Sequence, residues 1–239
     1  EICACLVGSE MCIRDRFIKG LLEPVAEVLY LAPEEITAES MRDADALVTR
    51  TRTRCDANLL EGSKCRFIAT ATIGTDHIDL DYCSKAGIAV VNAPGCNAPG
   101  VAQYVYASIA ALREARGDTR PADALTIGVV GVGHVGSIVA DWGRTIGMKV
   151  LCCDPPRAEK EGDDSFCDMD TIARECDIIT FHTPLTKEGC HPTYHLFDNR
   201  LAAKLQHAPI VINSARGPVT DTQALMTALD NGMISAAVI

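Results

Sequence analysis

The sequence predicts an α/β protein in which parallel strands are covered on both faces by helices. From about residue 126 onward, short runs of β-branched and other apolar residues alternate with segments of helical periodicity. Each apolar run is only four or five residues long and lacks a polar alternate, which is typical of strands buried on both faces. The first ninety residues contain shorter elements and predict a separate, smaller α/β unit. We therefore expect one unit over residues 1–95 and a second over residues 96–239.

The elements follow from the local patterns in chain order. In the smaller unit we expect a helix over residues 33–42 and strands over residues 46–53 and 67–72. A helix over residues 97–116, with Asn97 as its N-cap, connects the two units. In the larger unit we expect helices over residues 135–146 and 224–229. Strands are predicted over residues 127–130, 150–153, 178–181, 210–212 and 236–239. The charged segment 158–170 is predicted to be a solvated loop.

The composition is that of a folded protein and excludes several classes of function. Of 239 residues, 48% are hydrophobic and 23% are charged, and the net charge of −10 leaves no basic face for nucleic acid. The uncharged stretch 86–112 is interrupted by asparagine, proline and glycine residues, so no membrane span is predicted. The 12 cysteines contain no C-x-x-C pair, which favours reduced thiols and a cytoplasmic location. His191 and His195 have metal-ligand spacing but no partner cluster, so no metal site is predicted.

A glycine-rich hexapeptide carries the strongest functional signal. Residues 131–136 (GVGHVG) match G-x-G-x-x-G directly after a strand run and directly before a predicted helix. Gly131 permits the tight turn, Gly133 allows the backbone to approach a pyrophosphate, and Gly136 lets the helix pack against the strand. The amide groups at the helix start, at His134 and Val135, would then face the phosphates. This context predicts a dinucleotide site.

Asp154 supplies the second half of the dinucleotide signature. It ends the next strand run, about 20 residues past the glycines, where a carboxylate binds the adenosine ribose. A cofactor with a 2′-phosphate would be repelled by this carboxylate, so the sequence predicts NAD rather than NADP. Arg157 is close enough in sequence to soften that discrimination. The alternative for Asp154 is a turn residue ahead of two prolines.

Four segments of the chain resemble the D-2-hydroxyacid dehydrogenase family. They are residues 71–79 (ATIGTDHID), 92–98 (NAPGCNA), the glycine hexapeptide and 212–217 (INSARG). The resemblance implies a Rossmann-type, NAD-binding parallel sheet over residues 96–239, truncated at its C-terminal end. It also implies a smaller flavodoxin-like α/β substrate domain, itself incomplete, over residues 1–95.

The resemblance also implies roles for individual residues. Arg216 is similar to the family's active-site arginine, and a guanidinium just past a strand end can bind a carboxylate through paired hydrogen bonds. Cofactor contacts are implied for Thr183, Ser214, Ala215 and Arg216. Substrate contacts are implied for Thr51, Thr72 and the backbone at Gly74.

Arg50, Arg52 and Arg54 alternate along the predicted strand 46–53 and its end, so all three are expected on one face. Since arginine binds phosphate, this row predicts a site for a substrate phosphate, and the family resemblance implies that Arg50 is the arginine that binds it. Arg54 is expected to lie on an exposed face. The implied partner is therefore a small phosphorylated 2-hydroxy acid.

Some expectations concern what lies outside the recognisable segments. The family removes the hydroxyl proton with a histidine held by a glutamate, and the resemblance places both after residue 239, so this fragment is not expected to turn over. Residues 5–16 match nothing in the family, and residues 1–16 as a whole are expected to be foreign to it. By resemblance the full-length protein is a homodimer. Two alternatives stay open: a dehydrogenase of 3-phosphoglycerate or another D-2-hydroxyacid, and a non-catalytic NADH-sensing module.

Overall fold

The computed structural model describes residues 4–8, 20–162 and 165–239. The chain folds as two compact units, Glu1–Cys96 and Asn97–Ile239. The sequence alone predicts no element in residues 1–16, and of these only Ala4–Gly8 are described, as strand β1. The expectation that residues 1–16 are foreign to the family stays a prediction.

The further strands of the first unit are β2 (Glu27–Leu31), β3 (Ala46–Thr49), β4 (Phe67–Thr70) and β5 (Ala89–Val91). Together with β1, and counting only described residues, they form a parallel sheet of five strands in the order β2-β1-β3-β4-β5. The order 2-1-3-4-5 is that of flavodoxin-like folds. The predicted class of this unit is therefore confirmed.

Short helices flank this sheet: α1 (Ala38–Met41), α2 (Ala57–Leu60) and α3 (Leu80–Ala86). The prediction of one helix over residues 33–42 is wrong, because a 3-10 turn over Pro33–Glu35 is separated from α1 by extended backbone at Ile36. Thr37 accepts a hydrogen bond from the Ser40 amide and starts a new helix there. The Thr37 cap therefore divides the helical sequence pattern of residues 33–42 into a 3-10 turn and the separate helix α1.

The predicted strand over residues 46–53 is also wrong at its C-terminal end. β3 ends at Thr49, and residues 51–53 form a turn. Arg50, Arg52 and Arg54 therefore do not alternate along a strand, and no shared face follows from strand geometry. Arg54 instead pairs with Asp56, the N-cap of α2, at 2.9 Å.

The second unit contains the strands β6 (Thr126–Val130), β7 (Lys149–Cys153), β8 (Ile178–Phe181), β9 (Ile210–Asn213) and β10 (Ala236–Val238). All pairings are parallel, in the order β7-β6-β8-β9-β10. Beyond β7, Phe166 forms a single parallel bridge with Cys152. Counting that bridge as a reduced third strand gives the order 3-2-1-4-5-6 of the Rossmann fold. The fold-class prediction is confirmed for this unit too.

The helices of the second unit are α4 (Ala98–Ala115), α5 (His134–Thr145), α6 (Pro155–Glu161), α7 (Met169–Glu175), α8 (Asn199–Ala202) and α9 (Thr222–Asp230). Asn97 occupies the N-cap position of α4, as predicted, but its side chain makes no capping hydrogen bond. The prediction of a solvated loop over residues 158–170 is wrong at both ends, because α6 extends to Glu161 and α7 begins at Met169. Asp154 caps α6, two prolines start it, and Gly162 ends it at φ +62°.

The core of the second unit lies on both faces of its sheet, as expected for strands without a polar alternate. Ile127, Ile178 and Ile212 are fully buried with α4 and α5 residues on one side, and Phe181 packs edge-on against Phe197 on the other. In the described part of the chain, no helix is both long and apolar enough to cross a membrane.

Candidate functional site

The glycine-rich loop lies where the strand order of the second unit reverses. β6 is flanked by β7 on one side and β8 on the other, so the connections that leave their carboxyl ends diverge at this point. Open parallel sheets bind ligands in the crevice at such a switch point. The loops that follow β6, β7, β8 and β9 bring together the residues predicted to bind a cofactor.

Each fingerprint glycine has a distinct steric reason. Gly131 has φ +85°, and a Cβ there would lie 2.9 Å from the Thr183 amide nitrogen, so only glycine lets the loops after β6 and β8 approach. A Cβ on Gly136 would lie 2.0 Å from the Gly131 carbonyl oxygen, so α5 packs tightly against the loop. At Gly133 a Cβ would meet nothing within 4 Å. This position faces open space at the start of a helix.

The amino end of α5 is suited to an anion. Gly133 is its N-cap and provides no capping side chain, and His134 is exposed at the first helical position. The first amides of a helix lack carbonyl partners within the helix and carry the positive end of its dipole. Ser137 completes the turn, since its amide donates to the Gly133 carbonyl at 2.9 Å. Val135 and Gly136 complete the predicted phosphate-facing backbone.

Asp154 lies at the carboxyl end of β7, where the sequence places it. Its Oδ2 accepts a hydrogen bond from the Val132 amide at 2.8 Å, and its Oδ1 accepts one from the Arg157 amide at 3.2 Å. The carboxylate therefore caps α6 and holds the glycine loop against it. These two contacts, capping α6 and holding the glycine loop, are structural. Each carboxylate oxygen can still accept a further hydrogen bond, for example from a ribose hydroxyl.

The loop after β8 contributes Thr183. Its side-chain oxygen is buried and, among the described residues, has no hydrogen-bond partner. Buried hydroxyls are normally hydrogen-bonded, so this one, beside the glycine loop, can bond to a polar group of a bound ligand. With the open space at Gly133, it shows that the residues present fit a bound dinucleotide.

His182, next to Thr183, joins two strand ends. Its Nε2 lies 2.9 Å from the Thr180 hydroxyl and its Nδ1 lies 3.0 Å from the Ser214 hydroxyl. Burial lowers the pKa of His182 to about 4, because desolvation disfavours the imidazolium. The ring is neutral at physiological pH and holds Ser214 beside the loop after β8.

Arg216 follows β9 and is organised by a residue that sequence reasoning missed. The buried Asn213 amide nitrogen donates to the Arg216 carbonyl at 2.9 Å, and its Oδ1 accepts from the Ala215 amide at 3.1 Å. The Arg216 side chain is exposed at the carboxyl edge of the sheet. The sequence did contain a signal for this role, because Asn213 directly follows residues 210–212, a strand predicted to be buried. A buried amide side chain needs hydrogen-bond partners, which neighbouring backbone groups can supply.

In the first unit, the substrate residues predicted from the resemblance follow two adjacent strands. Arg50 and Thr51 come after β3, and Thr72 and Gly74 come after β4. The Thr72 hydroxyl donates to the Gly74 carbonyl at 2.8 Å and lies 2.8 Å from the Thr70 hydroxyl. The carboxyl ends of parallel neighbours share one edge of the sheet, so these loops meet there.

Two further residues hold the Gly74 loop and were not predicted. The Asn92 side chain donates to the Ile73 carbonyl at 2.7 Å. His77 Nε2 lies 3.2 Å from the Thr70 hydroxyl. Their role depends on contacts between loops, which no local pattern reveals.

The strand order, glycine loop and acidic strand end define the second unit as a dinucleotide-binding α/β domain. Residues 103–239 match the sequence model of the family "D-isomer specific 2-hydroxyacid dehydrogenase, NAD binding domain". The chain belongs to this family. NAD is the cofactor of that domain, as predicted.

Two relatives similar in sequence to this chain carry the same name. An erythronate-4-phosphate dehydrogenase of Bacteroides thetaiotaomicron is 53% identical over 224 residues, which are 93% of this chain and 64% of the relative. One from Porphyromonas gingivalis is 43% identical, with 93% of this chain and 60% of the relative covered. The chain thus spans less than two thirds of the length of these curated relatives.

Solved structures of the family agree with the fold. A 3-phosphoglycerate dehydrogenase of Entamoeba histolytica with bound NAD⁺ has a TM-score of 0.84 and 27% identity, covering 100% of this chain and 81% of the other. A D-lactate dehydrogenase of Aquifex aeolicus, complexed with NAD and lactic acid, has a TM-score of 0.77 and 28% identity, covering 98% of this chain and 75% of the other.

Proposed function

We propose that this chain is the substrate-binding unit and the NAD-binding domain of an erythronate-4-phosphate dehydrogenase. The reaction oxidises the C2 hydroxyl of 4-phospho-D-erythronate to the 2-oxo acid 3-hydroxy-2-oxo-4-phosphooxybutanoate, a step of pyridoxal 5′-phosphate biosynthesis. The observation that carries the proposal is the 53% identity, over 93% of this chain, to a relative of that name.

The cofactor would be held by the second unit. Backbone amides of Gly133, His134 and Val135 would bind the pyrophosphate, Asp154 the adenosine ribose, and the Thr183 hydroxyl a polar group of the dinucleotide. Ser214, Ala215 and Arg216 would line the nicotinamide side. When bound, NAD supplies the acceptor for the C2 hydride.

Arg216 would act on the substrate directly. Its guanidinium can donate paired hydrogen bonds to the carboxylate and stabilise the negative charge that grows on the C2 oxygen as the hydroxyl proton leaves. The family resemblance assigns that proton to a histidine oriented by a glutamate. Asn213 supports Arg216 by fixing its carbonyl and the Ala215 amide.

The first unit would recognise the rest of the substrate. Arg50 would bind the 4-phosphate, and Thr51, Thr72 and the Gly74 loop would contact the carboxylate and hydroxyls. This assignment is supported by the position of both loops at the carboxyl ends of β3 and β4. We also propose that the full-length protein is a homodimer located in the cytoplasm.

The test uses the chain extended to the length of its relatives. NADH formation should saturate with 4-phospho-D-erythronate, with kcat/KM at least about tenfold above that for 3-phospho-D-glycerate. Arg216→Gln should lower kcat/KM by about 10²–10³. Arg200→Gln is the matched control, because Arg200 is an exposed arginine paired with Asp198 at 2.8 Å.

Two outcomes would replace the proposal. Preference for 3-phospho-D-glycerate would assign the chain to that dehydrogenase. Tight NADH binding without turnover of either phosphate would favour the non-catalytic NADH-sensing module.

A further inference from the structure

The residue between the first two fingerprint glycines is held through both of its peptide groups. The Val132 amide donates to Asp154 Oδ2 at 2.8 Å. The Val132 carbonyl accepts a hydrogen bond from Arg157 Nη1 at 2.5 Å and one from Ser137 Oγ at 3.1 Å. Two of these three partners belong to the segment that follows β7. The conformation of the glycine loop is therefore fixed largely from α6.

Within α6, Arg157 is held in turn by Glu161. The Arg157 Nε and Nη2 atoms donate to the two Glu161 carboxylate oxygens at 2.7 and 2.9 Å. The guanidinium carbon also lies 5.3 Å from the centre of the Phe166 ring. Two prolines start α6, and the Asp154 side chain that caps it also accepts a hydrogen bond from the Val132 amide of the glycine loop. The guanidinium has a defined position and a defined counter-ion.

This arrangement bears on the charge beside the cofactor. In Rossmann domains a carboxylate at the end of the second strand binds the ribose hydroxyls, and an arginine nearby accommodates the 2′-phosphate of NADP. Arg157 stands three residues after Asp154 and touches the glycine loop, so it is in the place where such an arginine would act. Glu161 pairs with it through Nε and Nη2, one of the two edges of the guanidinium that can form paired hydrogen bonds, while Nη1 donates to the Val132 carbonyl.

We propose that Arg157 is a positioning residue for the glycine loop and that Glu161, by holding it, sets the preference for a cofactor without a 2′-phosphate. The inference rests on the proposed cofactor site and deepens it. Arg157 is thereby directed to the Val132 carbonyl. Selectivity depends on two carboxylates: Asp154 repels the 2′-phosphate, and Glu161 withholds the cation that would bind it.

The decisive variant is Glu161→Ala, measured by equilibrium titration of the apo chain with NADH and with NADPH. The pair is about 40% exposed on each side, so its loss should leave the fold intact. The ratio of NADPH affinity to NADH affinity should rise about tenfold, while NADH affinity should fall by no more than about fivefold, the effect expected for losing the Arg157 contact to Val132. Glu175→Ala is the matched control, because Glu175 forms a similar ion pair with Lys149 at 2.7 Å on a different helix. It should change neither affinity.

A double substitution tests whether the gain passes through Arg157. In Glu161→Ala combined with Arg157→Gln, the increase in NADPH affinity should disappear, since no guanidinium remains to bind the phosphate. Arg157→Gln alone should weaken NADH binding about fivefold and speed amide exchange at Val132 in the apo chain. Arg157→Lys keeps the charge and should recover part of the NADH affinity.

The outcomes separate this inference from the proposed function. If the wild-type chain binds neither dinucleotide, the proposed cofactor site itself is wrong. If it binds NADH, but Glu161→Ala leaves the ratio of NADPH to NADH affinity unchanged, the role of Glu161 is refuted. If Val132 exchange and NADH affinity are unaffected in Arg157→Gln, the positioning role of Arg157 is refuted. A general loss of stability changes both affinities together and leaves their ratio unchanged.

Discussion

The glycine loop allows a sharp prediction, because two of its glycines have opposite surroundings. A Cβ placed on Gly136 would lie 2.0 Å from the Gly131 carbonyl oxygen and 3.3 Å from Val129 Cγ1, whereas one placed on Gly133 would meet nothing within 4 Å. Gly136→Ala therefore requires α5 or the loop to move by about 1 Å, which overpacking data put at about 3 kcal/mol. For a chain of this size that corresponds to a fall in Tm of about 6–12 °C. Gly133→Ala should leave the Tm of the apo chain within about 1 °C.

The two variants should also separate in cofactor binding. Gly133→Ala places a methyl group where the pyrophosphate backbone contact is proposed, so NADH affinity should fall at least about tenfold with unchanged stability. Thermal unfolding followed by far-UV circular dichroism, with NADH titration by fluorescence, measures both quantities. Equal Tm values for wild type and Gly136→Ala would refute the packing argument. Undiminished NADH binding by Gly133→Ala would refute the cofactor cradle.

Three further predictions concern buried groups of the second unit. Because the pKa of His182 falls from 6.5 to about 4 in the folded state, only the unfolded chain gains this proton as pH drops. Between pH 7 and pH 4.5 the free energy of unfolding should therefore fall by about 2–3 kcal/mol more in wild type than in His182→Gln. Urea titrations of both proteins at the two pH values measure this difference. Equal losses in the two proteins would contradict the burial of His182. Asn213→Asp replaces an N–H donor with an oxygen acceptor that faces the Arg216 and Gly217 carbonyls, so the free energy of unfolding should fall by about 3 kcal/mol in chemical denaturation. The same change at the exposed Asn199 is the control and should have little effect. Gly128→Ala would bring a Cβ to 2.7 Å from Cys176 Sγ, and Cys176→Ala should recover part of the lost Tm; no recovery would contradict this contact.

The larger unit was predictable because its signals are local. Each strand is a short apolar run, and the glycine hexapeptide has its meaning from the strand before it and the helix after it. The observed strands β6 to β9 lie within one residue of the predicted bounds at each end. A doubly covered parallel sheet tolerates no polar alternate, so the pattern has little ambiguity.

The smaller unit was less predictable because capping and turn residues decided its boundaries. The β-branched alternation continues past Thr49, yet the backbone turns at residues 51–53. Thr37 likewise splits a continuous helical pattern through one side-chain hydrogen bond. Such bonds are worth about 1 kcal/mol, comparable to the propensity of several residues, so they override periodicity.

The candidate site shows the same division. Sequence spacing predicted cofactor roles for Gly131, Gly136 and Asp154, since the family motif fixes residue types at set separations. It gave residues 158–161, the second half of α6, as part of a loop, because a charged segment looks like a solvated loop until its helix cap and terminating glycine are recognised together. That the Thr183 hydroxyl has no partner within the described part of the chain likewise became visible only in three dimensions.

By itself, the sequence determined the fold class, the dinucleotide loop and the family, because these depend on apolar periodicity and on residues close together in the chain. The tertiary structure decided how the loops are held: Arg157 on the Val132 carbonyl, Asp154 on its amide, and His182 between the ends of β8 and β9. These contacts join residues that are 22 to 32 positions apart. Their formation depends on which strands become neighbours, and that is settled by the packing of the whole sheet.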